Sequence, residues 1–202
     1  MPLIDISRPL RTGSPRWPGD CPTELTATAR MADGASCNVG RLSLSRHNGT
    51  HVDAPFHYDA NGATIESVDP ARLIGPARVI DARGCATLGV ELLARFGATL
   101  ATTPRILFRT DAWKDPEVFP ATWPRLEPGI AGWLRERGVT LVGLDVPSVD
   151  ALESKDLPIH AELNRAGILI LESLDLRGVE PGDYELIAAP LRIAGGDGVP
   201  AT

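Results

Sequence analysis

The chain has 202 residues, a mass of 21.5 kDa, a net charge of −6 and a pI near 5.2. That is the size of one domain over residues 1–202, long enough to bury roughly 70% of its unfolded surface without a disulfide or metal staple. The acidic balance and the lack of any lysine or arginine cluster argue against nucleic acid or an anionic membrane surface as partner.

No apolar run approaches the ~18 residues of a membrane span. The start, Met1-Pro2-Leu3-Ile4-Asp5, has neither the basic nor the apolar region of a signal peptide. The expectation is a soluble, cytoplasmic protein. Cys21, Cys37 and Cys85 are odd in number and lack C-x-x-C spacing, so they read as reduced thiols packed as small buried hydrophobes. With 20 glycines and 18 prolines, many turns and long ordered loops are expected.

Leu3-Ile4-Asp5-Ile6-Ser7 alternates and predicts a first strand. Arg16-Trp17-Pro18-Gly19-Asp20 carries turn chemistry at Pro18-Gly19, which places Trp17 on a loop, either packed locally or facing a ligand. Residues 39–46 predict a strand with Leu42 and Leu44 on an apolar face and Ser43 and Ser45 on a polar one. Ser67-Val68-Asp69-Pro70 is a helix-start signal for a short helix to Leu73. Strands are expected at 77–81 and 105–110, with an amphipathic helix at 90–96 between them. Trp113 and Trp123 follow on a loop that either lines a pocket or covers the core. Pro128 to Gly138 predicts a helix with Ile130, Trp133 and Leu134 at core spacing. Residues 139–144 predict an apolar strand ending at Asp145. Pro158 begins a helix that carries His160 in its first turn and stops at Gly167. Ile168 to Glu172 predicts a strand, and 184–193 a closing strand interrupted by Pro190. Strand, helix and strand in succession give an α/β architecture.

The chemistry concentrates in Arg46-His47-Asn48-Gly49-Thr50-His51-Val52-Asp53-Ala54-Pro55-Phe56-His57, which holds three of the four histidines. Histidine and carboxylate are the usual ligands of zinc and related divalent ions. His47, His51, Asp53 and His57 all fall on odd numbers. An extended segment would present all four along one edge, because strand side chains alternate with a period of two. Pro55 biases Ala54 toward extended backbone, and Gly49 allows a close backbone approach. The fourth histidine, His160, is the one left to complete such a site. Glu172 closes a run of four aliphatics, where a lone carboxylate is costly; it is either at the strand end in water or paired with a metal.

The pattern His-x-Gly-Thr-His-x-Asp-x-Pro-x-His, complete from His47 to His57, resembles the signature of the metal-dependent cyclase family, which includes bacterial kynurenine formamidases and isatin hydrolases. The resemblance extends over residues 3 to about 193. It implies a single-domain mixed α/β fold with a swivelling β-layer core, and a homodimer. It also implies two zinc ions, with His47, His51 and Asp53 on the first, Asp53 and Glu172 bridging, and His160 on the second. Zinc lowers the pKa of bound water to roughly 7, and the second ion would polarise a carbonyl. His57 is then left to move protons, a task suited to its reference pKa of about 6.5; the alternative is that His57 is itself a ligand. In formamidases of this family a tryptophan in a matching Trp-Pro-Gly-Asp segment contacts the aromatic substrate, which implies the same of Trp17.

The expected reaction is hydrolysis of N-formyl-L-kynurenine to L-kynurenine and formate, in tryptophan degradation. The near rival is opening of the isatin ring. A serine hydrolase is disfavoured because no Gly-x-Ser-x-Gly occurs. A structural zinc module is disfavoured because no cysteine lies in the cluster.

Overall fold

The computed structural model describes residues 2–96, 100 and 103–202. Its strands are β1 (Glu24–Ala29), β2 (Val39–Ser43), β3 (His51–Asp53), β4 (Ile74–Asp81), β5 (Thr87–Leu88), β6 (Arg105–Arg109), β7 (Arg125–Leu126), β8 (Leu141–Leu144), β9 (Leu169–Glu172), β10 (Gly182–Ile187) and β11 (Gly198–Pro200). The helices are α1 (Val90–Ala94), α2 (Ile130–Glu136) and α3 (Pro158–Arg165). Seven strands form one mixed sheet in the order β10-β4-β6-β8-β9-β3-β11. Its centre, β4-β6-β8-β9, is parallel, and β10, β3 and β11 join antiparallel.

The central strands read as near-continuous apolar runs because both faces are covered. Alternate residues serve different layers. Ile106, Phe108, Val142, Leu144 and Ile170 pack with Leu93, Ile130, Leu134, Ile159 and Leu163 of the helices. Leu107, Leu169 and Leu171 face the other way, onto Val52, Leu174, Leu176 and Leu186. The pairing of β3 with β9 sets His51 opposite Glu172, Val52 opposite Leu171 and Asp53 opposite Ile170. Paired residues share a face. Val52 therefore enters the far core, while His51, Asp53 and Glu172 turn to the helix-covered side, where α3 brings His160.

Several expectations need correction. Residues 3–7 form no strand: Asp5 Oδ1 accepts from the Ser7 amide at 2.9 Å, a local turn, and Leu3 is 91% exposed. The strand from Val39 ends at Ser43 and pairs only with β1, in an exposed two-stranded ribbon where Leu42 finds no core. The 47–57 segment is not extended throughout. Only His51–Asp53 is strand; Pro55–His57 is a 3-10 turn and His47 sits in a turn before the strand. The helix expected toward Leu73 is one 3-10 turn, Pro70–Arg72, with the Ala71 amide donating to Asp69. The closing strand ends at Ile187, before Pro190, which removes a ladder donor. Cys21 and Cys37 are exposed and only Cys85 is partly buried; all three are free. Among the described residues no helix is long and apolar enough to cross a membrane.

Candidate metal centre

Strands β3 and β9, helix α3 and the two turns that flank β3 converge where β3 runs beside the C-terminal end of β9. His51 and Asp53 come from β3, Glu172 from the last residue of β9, His160 from the first turn of α3, and His47 and His57 from the turns that flank β3. Asp53 is fully buried, and His51, His160 and Glu172 are nearly so; His47 and His57 are more open.

The two carboxylates lie between two imidazoles. His51 Nε2 is 3.3 Å from Asp53 Oδ1 and 3.5 Å from Glu172 Oε2. His160 Nε2 is 3.5 Å from Asp53 Oδ2 and 3.5 Å from Glu172 Oε1. Each carboxylate thus offers one oxygen to each imidazole. Two ligands held at about 2.1 Å from a tetrahedral ion lie about 3.4 Å apart, so these separations suit the edges of a coordination shell better than hydrogen bonds. His47 Nε2, His51 Nε2 and Asp53 Oδ2 are buried with no hydrogen-bond partner among the described residues. Buried polar atoms are nearly always paired, so orphans gathered in one place fit a cation-binding site.

The outer nitrogens are already committed. His51 Nδ1 lies 2.9 Å from the Gly49 carbonyl and His160 Nδ1 2.7 Å from Asp150 Oδ2. A proton on Nδ1 donated outward leaves the Nε2 lone pair facing inward, the arrangement that orients metal-binding histidines. His47 Nδ1 contacts Asp53 Oδ1 at 2.9 Å. On its other side Asp197 approaches Nε2 at 3.4 Å, an ionic contact too poorly aligned for a hydrogen bond. Gly198 lies against the same ring; a Cβ there would come within 2.6 Å of His47 Cε1.

The electrostatics follow from this packing. Burial pushes the His51 imidazolium down, but Asp53 and Glu172 together outweigh burial and raise its pKa to about 10. His160 is raised well above its usual range against the same burial cost, by Asp150, Asp53 and Glu172. Asp53 is held well below the ordinary carboxylate range despite its burial, because His160, His47 and His51 surround it. A site this rich in negative charge holds cations, whether protons or a metal. His57 goes the other way: burial lowers its pKa, and Asp53 only partly opposes that.

The cluster forms the floor of a cleft of about 270 Å³. Trp17, Trp113 and Phe119 make an aromatic wall, with Phe119 5.7 Å edge-on from each tryptophan. Of the two later tryptophans, then, Trp113 lines the cleft. Trp123 does not line it but packs in the core, donating Nε1 to the Asp150 carbonyl. All six residues singled out around the metal come together, and Trp17 stands over them. His57 stacks on His47 with ring centroids 4.0 Å apart. Its ligating atom lies within 4.8 Å of those of His47 and Asp53, so both of its readings stay compatible with the geometry. Sequence reasoning missed Asp150, Asp197 and Gly198. Asp145-Val-Pro-Ser-Val-Asp150 follows an apolar strand, as site loops in parallel sheets do, and that was the available signal for Asp150; Asp197 and Gly198 gave none.

Residues 4–151 match the Cyclase family model. The chain belongs to the cyclase family. The kynurenine formamidase of Geobacillus thermodenitrificans is 45% identical to this cyclase-family chain over 98% of its length and 94% of the relative's. An isatin hydrolase structure bound to the product analogue thioisatinate superposes with a TM-score of 0.83 at 25% identity, covering 98% of this chain and 89% of that one. A structure described as a predicted metal-dependent hydrolase from Bacillus stearothermophilus gives 0.80 at 25% identity, covering 98% and 94%.

Proposed function

We propose that this cyclase-family protein is a zinc-dependent kynurenine formamidase, which hydrolyses N-formyl-L-kynurenine to L-kynurenine and formate in tryptophan breakdown. One observation carries the reading: a buried His/Asp/Glu cluster with orphaned nitrogens lies beneath an aromatic wall, in a chain 45% identical to a kynurenine formamidase. The likeness to isatin hydrolase structures keeps ring opening as the rival, at lower identity.

In this reading His47, His51 and Asp53 would hold one zinc ion and His160 a second, with the Asp53 and Glu172 carboxylates shared between them. Bound divalent ions of this kind acidify water and polarise a carbonyl. The remaining work belongs to the chain. Trp17 stacks on the substrate ring, with Trp113 and Phe119 completing a slot that excludes water. The cleft is at the small end of ligand pockets, which suits a single aromatic ring. Water adds to the formyl carbon and the carbon–nitrogen bond breaks. His57, neutral because burial lowers its pKa, takes the proton that the water gives up and delivers it to the departing arylamine nitrogen.

Residues 1–202 act as one domain in this reading, and the protein works in the cytoplasm as a homodimer. The exposed apolar residues of the β1–β2 ribbon, Leu25, Val39 and Leu42, support pairing with a second copy; sedimentation velocity should give twice the 21.5 kDa chain mass.

The direct test is a substrate panel on zinc-loaded protein, with elemental analysis of the same batch. About two zinc ions per chain are expected, and N-formylkynurenine should be cleaved far faster than isatin. The reverse preference makes the protein an isatin hydrolase. Full activity without a divalent metal rejects the site.

A further inference from the structure

The cleft is charged at its mouth as well as its floor. Besides the tryptophan wall, Arg16, Asp20, Ser154 and Lys155 line it. Arg16 is fixed through Nε, which donates to the Asp20 carbonyl at 2.9 Å, and its terminal amino groups make no hydrogen bond among the described residues. Lys155 makes no hydrogen bond or ion pair with any described side chain. It is one of only two lysines in the chain and projects from an ordered loop. That loop has a hydrogen bond from the Ser154 amide to the Ala151 carbonyl at 3.0 Å and ends at Leu157 in left-handed backbone. It is anchored at Asp150, the residue that also holds His160.

The charges are sorted by depth. Glu172, His51 and His160 are buried at the floor, whereas the cations lining the cleft, Arg16 and Lys155, are exposed at its mouth. A carboxylate carried on the far end of a substrate whose reacting group reaches the floor would meet the exposed Arg16 and Lys155 at the rim. An arylformamide with an amino-acid side arm has this polarity: a neutral formamide at one end and a zwitterion at the other.

We propose that Lys155 is a specificity-determining residue that pairs with the α-carboxylate of the substrate's amino-acid arm, with Arg16 reinforcing it and Asp20 facing the ammonium group. The inference rests on the formamidase reading and adds to it the group that tells an amino-acid formamide from a bare one. The pair is made equally in the ground state and the transition state, so it acts on binding and leaves the chemical step alone.

The experiment compares N-formyl-L-kynurenine with N-formyl-2-aminoacetophenone, which keeps the ring, ketone and formamide but lacks the amino-acid arm. Wild type, Lys155→Met and Lys155→Arg are assayed zinc-loaded. Lys155→Met should raise KM for N-formylkynurenine roughly 10-fold, the scale of one charge-assisted hydrogen bond, with kcat within about twofold. The same variant should leave the kinetics on the armless substrate unchanged, which also shows that it is folded and metal-loaded. Lys155→Arg should recover most of the loss. Wild-type preference for the armed substrate should shrink in high salt, since the rim is solvent-exposed. Equal effects on both substrates, or none on either, overturn the inference while leaving the formamidase reading standing. Wild-type protein that cleaves neither formamide removes both.

Discussion

His57 differs from the other three histidines in what its ring touches. His51 and His160 each have Nδ1 committed to an oxygen, and His47 contacts a carboxylate on each side. Among the described residues the His57 ring makes only aromatic contacts, with His47, Tyr58 and His160. A ring without an orienting partner is free to take up and hand on a proton, whereas ligands need fixing. His51→Ala and His47→Ala should therefore lose both metal and activity. His57→Ala should keep its metal while kcat falls by roughly 10²–10⁴-fold and KM moves less, since the proton is needed to expel the arylamine. Metal stoichiometry and steady-state kinetics on one batch decide this; an ion missing from the His57→Ala protein makes His57 a ligand.

At the scale of elements, α3 shows how a side chain distant in sequence sets the site. Leu157, at the helix N-cap, offers no capping side chain. Asp150 substitutes, accepting from the Ile159 and His160 amides at 3.1 and 3.2 Å and from His160 Nδ1 at 2.7 Å. One carboxylate thus starts the helix and aims its histidine. Asp150→Asn keeps the shape but loses acceptor capacity, because an amide offers one oxygen. Metal affinity should drop by roughly 10- to 100-fold, the usual effect of removing such a partner, as measured by competition with a chromophoric chelator. Unchanged affinity would show that the helix alone orients His160. Asp150 also marks where the sequence ceased to be readable. The parallel strands at β4, β6, β8 and β9 were legible because residues buried on both faces leave continuous apolar runs. The candidate ligands His47, His51, Asp53, His160 and Glu172 were legible because few residue types bind metal and most of these cluster in one stretch. The route was not: the period of two holds only across His51–Asp53, and His47 and His57 reach the site from turns. Gly198 opens the three-residue edge strand β11, too short for any periodicity, and Asp197 lies in the bend just before it. Leu3 to Ser7 alternates without a partner strand, and alternation alone does not make a ladder.

For the molecule as a whole, the site joins parts of the chain from residue 47 to residue 172; β3 runs through it, β9 ends on it and α3 starts on it. A metal that binds only the folded chain stabilises it by mass action. With free metal at 100 times its Kd, that is about 2.7 kcal/mol. A chain of this size gains about 2–4 °C in Tm per kcal/mol, so chelation should lower Tm by roughly 5–11 °C. The pH dependence has a definite sign. His51 has its folded pKa raised to about 10, above the ordinary value of about 6.5, and His160 is raised as well. Their contribution to the metal-free fold is fully present below about pH 6.5 and is lost as pH climbs through the folded values. The depressed pKa values of Asp53 and Glu172 act oppositely, adding stability above about pH 4 and losing it only in acid. The metal-free protein should therefore lose Tm steadily from pH 7 to pH 10. Metal takes the place of the protons on the histidines and binds better as they deprotonate. The Tm gap between loaded and metal-free protein should widen over the same range. Thermal scans at fixed free zinc across pH 7–9, with and without chelator, measure it, and a gap that narrows with rising pH would show that the histidine protons and the metal do not compete for one place.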